Sequence, residues 1–359
     1  MIGGALHHLG RSPGFVRRDG AALAIAGRTG MTPSEIVRQL DQHVVGQAEA
    51  KKILAVAVYW HFRKSARTAL QSAALIKSNV LLIGSTGTGK TLLCETLSRV
   101  LDVPFVTADA GSLAQSEYVN HEIEAILQRL LDKASGDASK AGRGVVFIDE
   151  IDKLKSVPGH ARAASGESVQ HALLKIMEGA PVRLREGRYV DTTQVLFICG
   201  GAFVGLDDIL RDTQAYGFIS LSGTDNPAVL TKLNMQVKPT DLRAYGLIPE
   251  FAGRLPIVAR LQDLNRDMLV RIMLEPRDSI YNQYRDILRE DGVDLAIDPV
   301  VFEQIADLAL EYKAGARSLR GIFESLMTDV LYVLADDPGI RRVSITSMFD
   351  EPRYSRDGG

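Results

Sequence analysis

The chain has 359 residues, 46% of them hydrophobic and 24% charged, with a formal net charge of −2. That is length for roughly two or three domains, and too balanced a charge for the global field that draws a protein to nucleic acid or an anionic membrane. No apolar run reaches bilayer-spanning length, Cys94 and Cys199 stand far apart inside the runs TLLCETL and VLFICGG, and the scattered histidines offer no zinc-ligand spacing. A membrane span, a disulfide framework, a metal held by protein ligands alone and a nucleic-acid partner are therefore not expected.

Residues 1–31 are rich in Gly, Ala and Arg, with Arg11, Arg17 and Arg18 and no acid among the first eighteen. Ala24-Ile25-Ala26 has the form of a cleavage site, but the apolar stretch Ala21 to Ala26 is too short for a secretion signal. The segment reads as a flexible leader on a cytoplasmic protein, with an organelle matrix as the alternative setting. The first start signal is Thr32-Pro33-Ser34-Glu35, a capping box with proline at the first helical position, which predicts a helix over Pro33 to Leu40. A turn at Val45-Gly46-Gln47 and a long helix through Lys51 to Leu54 lead to the continuously apolar strand Asn79 to Ile83. Such a run suits a parallel strand covered on both faces.

Further short apolar runs at Pro104 to Val106, Gly144 to Ile148 and Gln194 to Ile198 alternate with helical stretches at Glu122 to Lys133 and Val169 to Met177. Strands alternating with helices imply an α/β domain with a parallel sheet. Beyond Pro256 the period becomes helical over Arg266 to Arg289, Pro299 to Lys313 and Ser318 to Leu334, before a short strand near Val343 to Thr346. The expected organisation is a leader (1–31), a large nucleotide-binding domain (32–258), a smaller, mostly helical domain (259–348) and a carboxyl-terminal tail (349–359).

Between the apolar strand and the helix Leu92 to Val100 lies Gly84-Ser85-Thr86-Gly87-Thr88-Gly89-Lys90-Thr91, which fits G-x-x-x-x-G-K-[ST] in the strand-loop-helix context that the motif requires. Its glycines let backbone N–H groups turn around phosphates, Lys90 neutralises charge on the outer phosphates, and the Thr91 hydroxyl can ligate Mg2+. A magnesium–ATP site also needs carboxylates at the end of a neighbouring strand. Val145-Val146-Phe147-Ile148-Asp149-Glu150 supplies two: Asp149 to hold the metal and Glu150 to orient and deprotonate the attacking water.

These residues and their surroundings resemble the ClpX family of AAA+ protein unfoldases from about Ile36 to Ile345. The resemblance implies an α/β AAA+ P-loop fold with a helical lid domain, ATP hydrolysis in a ring, most often a homo-hexamer, and protein substrates threaded through its pore. Leu40 to Lys52 looks like the segment that packs on the adenine, which assigns Val44 and Val45 to the base and Leu92 to the nucleotide's surroundings. Ser165 to Ile176 is similar to the helix after the acidic motif. Leu247 to Pro256 resembles the arginine-finger segment, so that Arg254 would reach into the next subunit's nucleotide site. Gly315 to Arg320 resembles the second sensor, so that Arg317 would touch the bound phosphates and make the domain angle report nucleotide state.

Three departures stand out. The family's amino-terminal zinc-binding domain, which receives substrates and adaptors, is not expected from the leader, which carries no cysteine. The family's Gly-Tyr-Val-Gly pore loop reads Glu117-Tyr118-Val119-Asn120 here, keeping the aromatic grip of Tyr118 and Val119 but losing both glycines. A second, Arg-rich pore loop is shortened to Arg183-Leu184-Arg185-Glu186-Gly187-Arg188. For docking a ClpP-type peptidase, the family's aliphatic-Gly-Phe tripeptide is matched by Tyr216-Gly217-Phe218, inside a Gly- and Ser-rich stretch expected to be mobile. The expected function is thus a ClpX-like unfoldase that delivers substrates to such a peptidase, the alternative being a stand-alone remodelling switch for one dedicated protein.

Overall fold

The computed structural model describes residues 30–68, 79–156, 161–184, 187–216 and 236–356. Thr32 caps α1 (Pro33–Asp41): its hydroxyl accepts the Glu35 amide at 3.3 Å, while the Glu35 carboxylate accepts the Thr32 amide at 2.7 Å. A short turn leads to α2 (Ala48–Thr68) and then to β1 (Val80–Ile83), α3 (Lys90–Leu101) and β2 (Phe105–Asp109). Helices α4 (Ala110–Gln115), α5 (Val119–Lys133) and α6 (Ala138–Ala141) precede β3 (Val145–Asp149). Then come α7 (Ala161–Glu178), the hairpin β4 (Pro181–Arg183) and β5 (Tyr189–Asp191), β6 (Leu196–Gly201), α8 (Leu206–Tyr216), α9 (Pro239–Tyr245), α10 (Pro249–Gly253) and β7 (Ile257–Arg260).

The main sheet runs β2-β3-β6-β1-β7, and every pairing in it is parallel. Successive residues of its central strands serve opposite cores: Leu81, Ile83, Val146, Ile148, Phe197 and Cys199 join one, Val80, Leu82, Val145, Phe147, Leu196 and Ile198 the other. Helices cover both faces, which is why these strands are apolar without alternation. All five strands point the same way, so the loops after β1 and β3 emerge at one edge, where ligands bind in open α/β sheets.

Beyond β7 a smaller, mostly helical domain builds its own core, with Leu269, Met273, Val301, Ile305, Phe323, Met327 and Val330 among its buried members. Its elements are α11 (Arg266–Leu274), α12 (Ile280–Glu290), β8 (Asp294–Ile297), α13 (Pro299–Glu311), α14 (Arg317–Asp336), β9 (Arg342–Ile345) and β10 (Arg353–Ser355). The single helix expected over Arg266 to Arg289 is two. Pro276, which has no N–H to continue the first, follows its end, and Ser279 recaps the second by accepting the Asn282 amide at 3.3 Å. The expected tail is partly structured as well: β10 pairs antiparallel with β9, which pairs parallel with β8.

Candidate functional site

The phosphate loop leaves β1 through Gly84 and enters α3 at Lys90. Gly87 (φ 82°) and Gly89 (φ 96°) take the left-handed conformation that L side chains resist. As N-cap, Gly89 gives no side-chain hydrogen bond to the first turn of α3, so the amides there face the place an anion would take. Thr88 closes the loop on itself, its hydroxyl donating to the Ser85 carbonyl at 2.8 Å. The Lys90 ammonium lies buried, donating to the carbonyls of Gly84 (2.6 Å) and Ser85 (3.2 Å). Burial pushes its pKa below the usual lysine range, Arg317 adds to that, and Asp149, Asp152 and Glu150 oppose it. A desolvated ammonium resting on neutral carbonyls suits a phosphate, which would bring it the negative charge it lacks.

The acidic strand end comes to the same edge. Thr91 Oγ1 donates to Asp149 Oδ2 at 3.2 Å, so a hydroxyl and a carboxylate converge as the oxygen ligands that Mg2+ requires. The other Asp149 oxygen accepts the Glu150 amide at 2.9 Å. Glu150 itself sits at φ 58°, a left-handed position for a residue with a side chain, and its carboxylate pairs with Lys153. Asp109, in register with Asp149 across β2 and β3, adjoins this group. Burial raises its pKa, but hydrogen bonds from Ser112 and the charge of Lys153 leave it below the ordinary carboxylate range.

The small domain reaches the phosphate loop from the other side. The Ala316 amide donates to the Gly87 carbonyl at 3.2 Å, and a methyl group placed on Gly315 would stand 3.1 Å from Gly87 backbone atoms. Arg317, the first residue of α14, is thereby brought close enough to Lys90 to influence its charge. Val44 and Val45 are both buried, and the Val44 carbonyl accepts the buried Lys51 ammonium, which also reaches Asp41 at 2.6 Å. Leu92 is 44% exposed on the first turn of α3.

Arg254 is not at this edge. It caps the carboxyl end of α10, its guanidinium donates to Glu178 at 2.6 Å, and its carbonyl accepts the Asn79 amide side chain at 3.1 Å. Asn79 precedes β1 and the phosphate loop follows it, so Arg254 lies at the opposite end of that strand from its own nucleotide site. Tyr118 stands 68% exposed beside His121 and lines a groove of about 390 Å³ with Glu117, Asn120, His171 and Lys175. Val119 differs from expectation: it opens α5, which starts there rather than at Glu122, and packs half-buried against the core. Arg183 and Arg188 flank a hairpin tip closed by a 2.7 Å hydrogen bond from the Leu184 amide to the Arg188 carbonyl; Arg185 and Glu186 lie outside the described residues. Tyr216 ends α8, so Thr213 to Tyr216 form a helical turn rather than loop, and Gly217 and Phe218 lie outside the described residues.

Sequence reasoning missed Asp109 and Lys153. Asp109 was invisible because the strand was expected to stop at Val106, and only the parallel register sets it opposite Asp149. Lys153 falls on a 3₁₀ turn, Ile151–Leu154, whose three-residue spacing returns it to Glu150.

A family profile described as "AAA domain (Cdc48 subfamily)" matches residues 76–258, and one described as "C-terminal, D2-small domain, of ClpB protein" matches residues 264–337. A protein of Treponema denticola named "ATP-dependent Clp protease ATP-binding subunit ClpX" is 44% identical over 318 residues, 84% of this chain and 77% of the relative. Proteins of the same name from Bacteroides thetaiotaomicron (41% over 321 residues; 85% and 78%) and Bacteroides fragilis (41% over 340 residues; 89% and 82%) are similar to a like extent. With a phosphate loop and an acidic strand end meeting at one edge of a parallel sheet, and relatives of this closeness over most of its length, the chain belongs to the ClpX family of AAA+ proteins and is an ATPase.

Proposed function

We propose that this ATPase works as a ring, a homo-hexamer by its resemblance, which unfolds protein substrates and passes them to a ClpP-type peptidase in a reducing, cytoplasmic compartment. The observation that carries the ring reading is the position of Arg254, at the far end of β1 from its own phosphate loop. An arginine finger so placed can serve only another subunit's site, which makes hydrolysis depend on assembly.

Within each site, the phosphate-loop amides and Lys90 hold the outer phosphates, and Val44 and Val45 back the adenine. Thr91 and Asp149 hold Mg2+, which when bound neutralises charge on the phosphates. Glu150 accepts the proton of the attacking water, and its pairing with Lys153 fixes where its carboxylate waits. Arg317 and the Gly87–Ala316 contact tie the small domain to the phosphates. Tyr118 grips the substrate: a large side chain, mostly exposed at the head of a helix, can push on a passing chain. Two buried, unpaired thiols suit a reducing compartment, and among the described residues no helix is long and apolar enough to cross a membrane.

The alternative, a stand-alone remodeller of one dedicated protein, is favoured by a single observation. Because α5 begins at Val119, the pore loop is short and carries Glu117 and Asn120 where glycines would give reach. Threading of a fluorescent folded protein bearing varied tags, with and without a ClpP-type peptidase, tests both readings. Loss of fluorescence in the wild type and its retention in Tyr118→Ala, with ATP hydrolysis continuing, is the expected result. Unchanged threading in Tyr118→Ala removes the grip, and threading without any complex with the peptidase leaves the remodeller.

A further inference from the structure

Gln47 is 2% exposed and sits immediately before α2. With Gly46 (φ 65°) it forms a pair of successive left-handed residues, Gln47 at φ 57°. Glycine would take that conformation without strain, so a glutamine held there needs a use for its side chain.

Its carboxamide has one. The oxygen accepts the Gln262 amide at 2.8 Å, and the nitrogen donates to the Gln262 carbonyl at 2.8 Å. One side chain thus satisfies both backbone groups of a single residue, as a neighbouring strand would. Gln262 is the point where the chain leaves the main sheet. Leu261 is the last residue hydrogen-bonded to β1, its amide donating to the Ile83 carbonyl at 2.7 Å, and Asn265 already caps the first helix of the small domain. The second amide proton of Gln47 faces the carbonyl of Thr88 in the phosphate loop at 3.5 Å. Gly46 also touches the small domain, since a methyl group there would come within 2.5 Å of the Met268 side chain.

The phosphate loop, the domain crossing and the first small-domain helix therefore meet on two residues. We propose that Gln47 is a positioning residue whose carboxamide clips the crossing at Gln262 to the phosphate loop at Thr88, so that a change in the loop on nucleotide binding becomes a change in the angle between the domains. The residue acts through the backbone atoms it holds. The inference is independent of the roles given to Arg254 and Tyr118.

The experiment uses the full chain with Gln47→Glu and Gln47→Met. The first keeps an acceptor for the Gln262 amide but sets an oxygen against the two carbonyls, and the second keeps length and loses all the hydrogen bonds. Arg99→Cys on α3 and Glu290→Cys on α12, both exposed, take a donor and acceptor dye; both native cysteines are buried. On adding ATP the wild type should change its energy transfer. In the variants that change should shrink severalfold and kcat should fall about tenfold or more. Their nucleotide Kd should stay close to the wild-type value. An undiminished energy-transfer change overturns the proposal, and so does a loss confined to Kd, which would make Gln47 a binding residue. If neither variant folds, hydrogen exchange of the wild-type Gln262 amide decides: its protection must change between the ATP-bound and ATP-free protein, and an unchanged rate overturns the clip.

Discussion

Replacing Gly87 with alanine should undock the small domain from the phosphate loop. Gly87 has φ 82°, a conformation that costs an L residue about 1–2 kcal/mol. The new methyl group would also stand 2.3 Å from the Ala314 carbonyl oxygen and 3.0 Å from Gly315 Cα, both backbone atoms that cannot rotate away. Relief requires the two loops to part, which sacrifices the hydrogen bond from the Ala316 amide to the Gly87 carbonyl, worth about 0.5–1.5 kcal/mol. Together these disfavour the docked arrangement by about 2–3 kcal/mol, or roughly 30- to 150-fold. Hydrogen exchange at the Ala316 amide reads that loss directly, as a rate increase of that order, and ATPase turnover should fall with it because Arg317 follows Ala316. Gly205→Ala is the control: its φ is 87°, but nothing lies within 4 Å of the added methyl. It should lower the thermal midpoint by a few degrees, at about 2–4 °C per kcal/mol for chains of roughly this size, and leave Ala316 exchange unchanged. Equal Ala316 exchange in Gly87→Ala and the wild type would refute the reasoning, since the contact would then not hold the domains together.

Glu150→Gln should retain nucleotide binding and lose turnover by about 10²- to 10⁴-fold, the usual worth of a positioned base; near-normal single-turnover hydrolysis would remove that role. ATPase activity per chain should rise with protein concentration, and Arg254→Ala should abolish the rise, with a loss of up to about 10³-fold or more in the assembled protein. A strictly monomeric preparation that hydrolyses at full rate, and is indifferent to Arg254→Ala, would show the finger to be misassigned. Because burial lowers the Lys90 pKa, the ammonium form is penalised in the nucleotide-free fold at neutral pH, and the penalty fades as pH rises through the lowered value. Bound phosphate should raise that pKa again, so nucleotide binding should take up protons in the alkaline window just below the ordinary lysine pKa and none from Lys90 near neutrality. Titration calorimetry in buffers of different ionisation enthalpy should find this uptake in the wild type and not in Lys90→Met.

Much of this molecule is local in origin and was therefore legible in the chain. The Thr32 capping box, the phosphate loop between an apolar strand and a helix, and the acidic end of β3 are each short motifs whose backbone geometry follows from their own residues. Continuous apolar runs alternating with helical periods specified a parallel sheet because only strands buried on both faces tolerate them. Where local signals were weak, the reading failed by a few residues. Pro276 broke a helix whose apolar period continued across it, Val119 joined a helix by packing on the core, and β8 and β10 exist only because β9 pairs with both. What no stretch of sequence could supply was distance. That Asp109 faces Asp149, that Ala316 holds Gly87, that Gln47 carries the backbone of Gln262 and that Arg254 sits at the wrong end of β1 for its own site all join residues far apart in the chain. Such pairs are decided by strand register and by the docking of one domain on another, which depend on the packing of every element between them.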